Sequence, residues 1–420
     1  MGVAALALLT ACDVYDASLL DDVDGGASLD LSMEATVDLG SDADPPPPDD
    51  GPGPDDDETP PPPPPDMGPP GCVPRRPPER PVLSDPASTP VRWYAMRDLR
   101  VGMGEQWRSL GYDLDGFCSD VDSTESECAP SEGFGVTMDG DDGVDNAFGQ
   151  TFIQLITLLQ PEYESLANAR IDVGEYGILV RLAEWNGTAN DPVVDVALVD
   201  ASRGFAMGAD PTAVLEPPEW NGSDEWIAST RSFAAGDTTR PLARDTAGFV
   251  VDNVLVAHPR DGTELSITSD RTVTLKLTGV ILTARIDDGN RRLVDGIVAG
   301  RWALDDIFNT LPRAFICPDT DQYRGAQTAL DRAADVTVDG EPTPFLRCEA
   351  ISVGVGFSGT LSTIHSYGDG RVIRDVCAEP DLCDDTCSSA MNGRCDDGGQ
   401  GSVSIQCTYG TDCADCGVRL

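Results

Sequence analysis

Tyr176-Gly-Ile-Leu-Val-Arg-Leu-Ala-Glu-Trp185, then Asn186-Gly187, then Val193-Val-Asp-Val-Ala-Leu-Val199 is the stretch that decides the fold class. Branched and aromatic side chains dominate both runs, which suits the pleated, half-buried surface of a β-strand. Asn-Gly between two such runs predicts a tight hairpin, because both central residues of a type I′ turn need positive φ. The same grammar continues on either side. Arg92–Leu99 reads as a first strand, and Gly248–Ala257, Glu264–Thr268, Thr272–Leu277 and Val280–Ile286 as later ones. Arg260-Asp261-Gly262 and Asp287-Asp288-Gly289-Asn290 punctuate them as turns.

Two segments break the strand pattern. Phe152, Ile153, Ile156, Leu159 and Leu166 recur at helical spacing across Phe152–Ala169, and Leu304, Ile307, Phe308 and Leu311 do so after Arg301. The expectation is a mainly β protein: a β-sandwich or barrel-like central domain over residues 81–376, two short helices, and a small disulfide-rich C-terminal module over 377–420. A region of this size buries a substantial core unaided.

The N-terminal part has a different character. From Cys12 to Pro74 there is no basic residue, 17 acidic residues lie between Asp13 and Asp66, and 17 of the 33 prolines lie between Pro45 and Pro78. Low hydrophobicity, like-charge repulsion and polyproline preference make residues 12–80 read as a disordered acidic tether. The whole chain carries a formal charge of −45, so nucleic acid is excluded as a partner on electrostatic grounds, and cations are favoured.

Leu9-Thr10-Ala11-Cys12 follows the small apolar run Val3 to Leu8 and resembles the lipobox of bacterial lipoproteins. The resemblance implies a signal peptide over residues 1–11, lipidation of Cys12 (a diacylglyceryl group with an added acyl chain such as palmitate), and a lipid anchor in a bacterial cell envelope, at the outer membrane or cell surface.

Setting Cys12 aside leaves 12 of the 13 cysteines, an even number that suits disulfides in an exported protein. Proximity along the chain suggests Cys118 with Cys128 and Cys317 with Cys348, which leaves Cys72 and Cys377, one at each edge of the central region, to staple its two ends. Cys383, Cys387, Cys395, Cys407, Cys413 and Cys416 crowd the C-terminus; zinc is the rival reading there, from the spacing of Cys413 and Cys416.

Acidic loops before the first helix carry the clearest chemical signal. Asp113-Leu-Asp115-Gly116 and Asp139-Gly-Asp141-Asp142-Gly143-Val-Asp145-Asn146 alternate oxygen donors with glycine, as a Ca²⁺ loop does. Asp113, Asp115, Asp139, Asp141, Asp145 and Asn146 are therefore candidate ligands, although the spacing is not that of an EF-hand, and solvated acidic turns would look alike. An internal echo, Glu184-Trp185-Asn186-Gly187-Thr188 and Glu219-Trp220-Asn221-Gly222-Ser223, places Trp beside turns with Trp226 nearby, so Trp185, Trp220 and Trp226 are candidate carbohydrate-stacking faces or covers of hairpin ends.

Within the C-terminal module, Cys383-x3-Cys387-x7-Cys395-x11-Cys407-x5-Cys413-x2-Cys416 with Asn392-Gly-Arg-Cys395-Asp396 and Gly410-Thr-Asp412-Cys413 resembles the Notch-type cysteine-rich repeat. The resemblance covers about a tenth of the chain and implies a disulfide knot whose Asn392, Asp396 and Asp412 bind Ca²⁺; the long gap from Cys395 to Cys407 departs from the family. Only two histidines occur, His258 and His365, and no nucleophile elbow, His-Glu-x-x-His run or phosphate loop is present. The reading is a non-catalytic binding or scaffolding module with a possible carbohydrate or protein partner; the alternative is an envelope glycoside hydrolase or other carboxylate-dependent hydrolase.

Overall fold

The computed structural model describes residues 72–417 except 83–87, 121, 210–215, 270, 370–376, 378–382, 384, 398–401, 405 and 408–409. Cys12, the expected signal peptide and the expected tether as far as residue 71 lie outside the described residues. The strands are β1 (Arg92–Arg100), β2 (Cys128–Ala129), β3 (Gly177–Ala183), β4 (Asp191–Phe205), β5 (Glu225–Ser229), β6 (Ala243–Val251), β7 (Val254–Ala257), β8 (Thr263–Thr268), β9 (Thr272–Asp287), β10 (Arg292–Ala303), β11 (Thr343–Arg347) and β12 (Ala350–Gly368). The helices are α1 (Ile153–Leu159), α2 (Tyr163–Asp172), α3 (Leu304–Thr310), α4 (Asp321–Ala333) and α5 (Cys413–Cys416).

Eight strands close into an antiparallel barrel in the order β1-β3-β4-β6-β7-β9-β10-β12 and back to β1. Spatial order follows chain order, so this is an up-and-down barrel, and closure leaves the ladder no free edge. β5 lies beside β4 and the far end of β12, β8 forms a hairpin with the start of β9, and β2 pairs with β11 outside the barrel. Short connections (184–190, 252–253 and 288–291) lie at one end of the barrel. The long ones, including every α-helix that joins barrel strands, lie at the other.

Alternation fills the interior. Val194, Val196 and Leu198 of β4, Leu255 and Ala257 of β7, Leu282, Ala284 and Ile286 of β9, and Val353, Val355 and Phe357 of β12 all belong to one buried core. The opposite faces are covered as well: Ile281, Ile297 and Ala299 pack under Tyr112 and Leu114 of the long segment after β1. Two-sided burial explains why these strands read as near-continuous apolar runs. That segment lies so close to β12 that a Cβ on Gly354 would stand 1.9 Å from the Leu110 carbonyl oxygen, so only glycine fits there. At the barrel end, Trp302 meets the rings of Phe148 and Phe152 at 6.1 and 5.1 Å.

Several local expectations are corrected. The single helix expected over 152–169 is a π-helical turn (Phe148–Phe152), α1 and α2, interrupted at Pro161 because proline lacks the N–H that a continuous helix needs. α4, not among the expected helices, begins at a Thr320 N-cap, whose hydroxyl accepts from Tyr323 N, and turns Ala326, Leu330 and Ala333 inward at helical spacing. Asn186-Gly187 is not a two-residue turn but part of the wider loop 184–190. The tight hairpin lies inside the run 248–257, where Asp252 (φ 48°) and Asn253 (φ 63°) join β6 to β7. The runs 272–277 and 280–286 are one bent strand, β9, with a register shift beside Gly279 (φ 56°).

The three predicted disulfides of the central region re-pair as Cys72–Cys118, Cys128–Cys348 and Cys317–Cys377. The β2–β11 pairing brings Cys128 and Cys348, 220 residues apart, to a Cα separation of 5.1 Å, a proximity that spacing along the chain cannot reveal. The C-terminal six pair as Cys383–Cys413, Cys387–Cys407 and Cys395–Cys416. Residues 72–80 are strapped to the folded part: Arg75 N donates to Asp142 O at 2.8 Å, Arg75 O accepts from Asp113 N at 2.9 Å, and the Arg80 guanidinium lies 4.7 Å from the Phe249 ring centroid.

Candidate metal centre

Asp113 and Asp115 lie on the segment after β1, and Asp145 on the loop that enters the π-helical turn. The fold brings one carboxylate oxygen of each to within 4.8 Å of the others. Backbone amides fix their directions. Gly116 N donates to Asp113 Oδ1 at 2.6 Å, Phe117 N to Asp115 Oδ1 at 2.8 Å, and Leu114 N to Asp145 Oδ2 at 2.7 Å. Asp145 is buried, and the Asp113 side chain is 1% exposed.

Asp139 joins the group as a carboxyl whose ionisation is coupled to that of Asp145, and it accepts from Ser119 N. A fifth member, Asp335, comes from the segment after α4 and holds the Ser352 amide at 2.8 Å and the Ser352 hydroxyl. Nothing near Asp335 in the sequence marks it as a partner of residues some 200 positions earlier.

Five carboxyl groups so close and so dry cannot all ionise. Burial first, then the neighbouring aspartates, pushes Asp115 up to about 8 and Asp139 to about 7, and drives Asp145 well above its usual range. Burial also lifts Asp335 to about 6, with Ser352 and Arg301 opposing, and raises Asp113 against the pull of Gly116 N, Arg76 and Arg301. Asp113 Oδ2 is buried without a hydrogen-bond partner; its nearest cation, Arg76, is exposed and 3.8 Å away. An orphaned buried carboxylate oxygen in an all-oxygen donor set fits a hard divalent cation such as Ca²⁺ and does not suit zinc.

Two expected ligands are not part of this centre. Asp141 is exposed on its turn. Asn146 is a buried clamp whose amide is fully engaged: Nδ2 donates to Leu110 O at 2.8 Å and Gly354 O at 3.1 Å, while Oδ1 accepts from Gly149 N and Gly354 N.

In the C-terminal module, Asn392 Nδ2 donates to Asp396 Oδ2 at 2.8 Å, and Asp396 N donates to Asp412 Oδ2 at 2.7 Å, so the three expected ligands do meet. Asp412 Oδ1 is buried without a hydrogen-bond partner. The Ser404 hydroxyl, then Asn392, holds Asp396 below the usual carboxylate range. All six cysteines are consumed in disulfides, which removes the thiolates that zinc would need.

The tryptophans offer no stacking face, which corrects the carbohydrate expectation. Trp185 and Trp220 are buried under the guanidinium groups of Arg92 (4.6 Å) and Arg97 (5.0 Å), and Trp226 lies wholly inside, against Gly177 and Gly204. The echo is a repeated structural device. Asn186 Oδ1 accepts from Thr188 N at 2.8 Å and Asn221 Oδ1 from Ser223 N at 2.9 Å, two equivalent Asx turns. Comparison with known proteins finds no matching family model, no matching curated protein and no matching solved structure.

Proposed function

We propose that this chain is a lipid-anchored protein of a bacterial cell envelope whose barrel acts as a non-catalytic binding or scaffolding module stabilised by Ca²⁺. The lipobox at Leu9-Thr10-Ala11-Cys12 and the fully paired remaining cysteines support the envelope reading. The observation that carries the calcium reading is the convergence of Asp113, Asp115 and Asp145 around the orphaned Asp113 Oδ2. A bound Ca²⁺ would neutralise these carboxylates and tie the segment after β1 to the loop before α1, stabilising the native state by its binding free energy.

Calorimetry and thermal melting with Ca²⁺ and with EDTA test it on the wild type and on Asp113→Asn/Asp145→Asn. The expected result is binding with a raised melting temperature in the wild type, abolished in the variant; flat traces in both overturn the calcium reading. Polysaccharide cleavage that a single Asp or Glu substitution abolishes would overturn the non-catalytic one, and palmitate incorporation that survives Cys12→Ala would overturn the anchor.

A further inference from the structure

A cavity of about 520 Å³ opens at the barrel end that carries the long connections. It lies where the far half of β4 and the start of β6 meet the β8–β9 hairpin, and it shares no residue with the carboxylate cluster. Asp200, on the β4 face that carries Val194, Val196 and Leu198 deeper in the barrel, lines its wall. The Asp200 amide donates to Ser232 Oγ at 2.9 Å, but its carboxylate makes no hydrogen bond or ion pair with any described residue. Burial first, and the neighbouring Glu264 second, push it up to about 7.

Around the same cavity stand Arg231 and Arg260, both exposed, and Arg313, half-buried. None of their guanidinium groups pairs with a carboxylate among the described residues. In a chain with 73 acidic and 28 basic side chains, opposite charges find each other readily, so three arginines that border one cavity and pair with no carboxylate among the described residues form a distinctive pattern. The lining thus carries both signs: half-buried Asp200 with exposed Glu264 and Asp261, and opposite them in charge the three arginines.

We propose that this cavity binds small zwitterions, free amino acids or short peptides, whose ammonium group pairs with Asp200 and Glu264 and whose carboxylate pairs with the arginines. A simple anion would leave Asp200 unmatched, a metal cation would leave the arginines unmatched, and a neutral sugar would satisfy neither. A zwitterion answers both, and the volume lies within the range of small-molecule sites. The buried hydroxyl groups of Ser229 and Thr268 in the lining add donors and acceptors for the ligand backbone.

The inference rests on the binding-module reading and gives it a ligand class. Calorimetry of the purified protein near neutral pH, in Ca²⁺ and in EDTA, tests it with glycine, alanine, dialanine and trialanine and with their N-acetyl and C-amide forms. At least one free zwitterion is expected to bind with Kd below about 1 mM. Blocking either end should weaken that binding at least about tenfold, a loss of about 1.4 kcal/mol. Asp200→Asn should match the loss on acetylation and Arg313→Gln the loss on amidation, each with an unchanged melting temperature. No binding by any zwitterion, equal binding of blocked and free forms, or unchanged affinity in Asp200→Asn overturns the ligand class. The binding-module reading fails separately, by the polysaccharide turnover described above.

Discussion

Arg301 and Glu127 form a bidentate ion pair, 2.6 Å from Nη1 to Oε2 and 3.0 Å from Nη2 to Oε1, with both side chains buried. Arg301 also donates to the carbonyls of Thr337 and Leu114, so one guanidinium ties β10 to two connections, the one between β1 and β2 and the one between α4 and β11. The same guanidinium lowers Asp113 and Asp335, where burial outweighs it. Arg301→Met leaves the buried Glu127 carboxylate with the Thr337 amide but no counter-charge and should cost about 3–5 kcal/mol in urea unfolding, whereas Arg301→Met/Glu127→Leu should recover part of that loss, the Thr337 amide and the Thr337 and Leu114 carbonyls staying unmatched. Equal losses in the single and double variants would contradict this account.

The cluster also sets a pH dependence. Asp115, Asp139 and Asp335 are raised in the folded state to about 8, 7 and 6 from an ordinary 3.8, so between these limits the native protein holds more protons than the unfolded chain. Stability contributed by these protons is complete below the unfolded value and is lost as pH rises through the folded ones. In EDTA the melting temperature should therefore fall as pH rises from about 4 to about 8. Added Ca²⁺ displaces the protons, so its stabilising effect should grow over the same window, with protons released on binding. Melting curves that rise with pH in EDTA, or a calcium response independent of pH, would contradict it.

Many strands were legible because branched and aromatic runs bounded by turn residues are a local signal, and β1, β3, β4 and β6–β9 overlap such runs, whereas β10 and β12 were not expected. What failed was long-range or decided by side chains. Asn186-Gly187 has the dipeptide of a type I′ turn, yet Asp191 Oδ2 takes the Asn186 amide at 2.7 Å and the Asn186 side chain takes Thr188, which together build a wider loop. Cysteine spacing favoured near neighbours, while β2–β11 joins Cys128 to Cys348. Of the candidate ligands before the first helix, Asp113, Asp115, Asp139 and Asp145 converge. Asp141 and Asn146 carry the same oxygen chemistry but face solvent or the backbone, a distinction of direction that composition does not hold.

The Cys128–Cys348 bond closes a loop of 220 residues. Chain-entropy arguments assign about 5 kcal/mol to a closure of that length. Cys128→Ala/Cys348→Ala should therefore be the most costly of the three central disulfide removals, ahead of those of Cys72–Cys118 and Cys317–Cys377, whose separations are 46 and 60 residues. Denaturant midpoints of the three double variants measure the order; a larger loss for either shorter loop would show that native packing, not loop closure, dominates.

Trp226 settles what the Trp-rich turns do. A Cβ on Gly177 would stand 2.4 Å from its ring, and one on Gly204 2.6 Å, so the indole fills a slot between β3 and β4. Gly177→Ala overpacks this slot and should cost about 1–3 kcal/mol. Trp226→Ala empties it and should cost about 3–5 kcal/mol. Neither the fluorescence nor the melting temperature of the wild type should change with oligosaccharides, and a saccharide-dependent shift lost in Trp185→Ala would reverse the structural assignment.

Asn146 separates a clamp from a ligand in one substitution. As the clamp between Leu110, Gly149 and Gly354 it needs an amide, because Nδ2 donates while Oδ1 accepts. Asn146→Asp removes the bonds donated to the carbonyls of Trp107, Leu110 and Gly354 and sets a carboxylate against those oxygens in a buried site, where each unmatched polar group costs about 1–3 kcal/mol. The variant should lose at least about 2 kcal/mol in EDTA. Saturating Ca²⁺ should add to it no more stability than it adds to the wild type, since the side chain is engaged by backbone groups and not by the carboxylate cluster. Had Asn146 been a ligand, the added charge would tighten Ca²⁺ binding, and the variant would gain more from the ion than the wild type does.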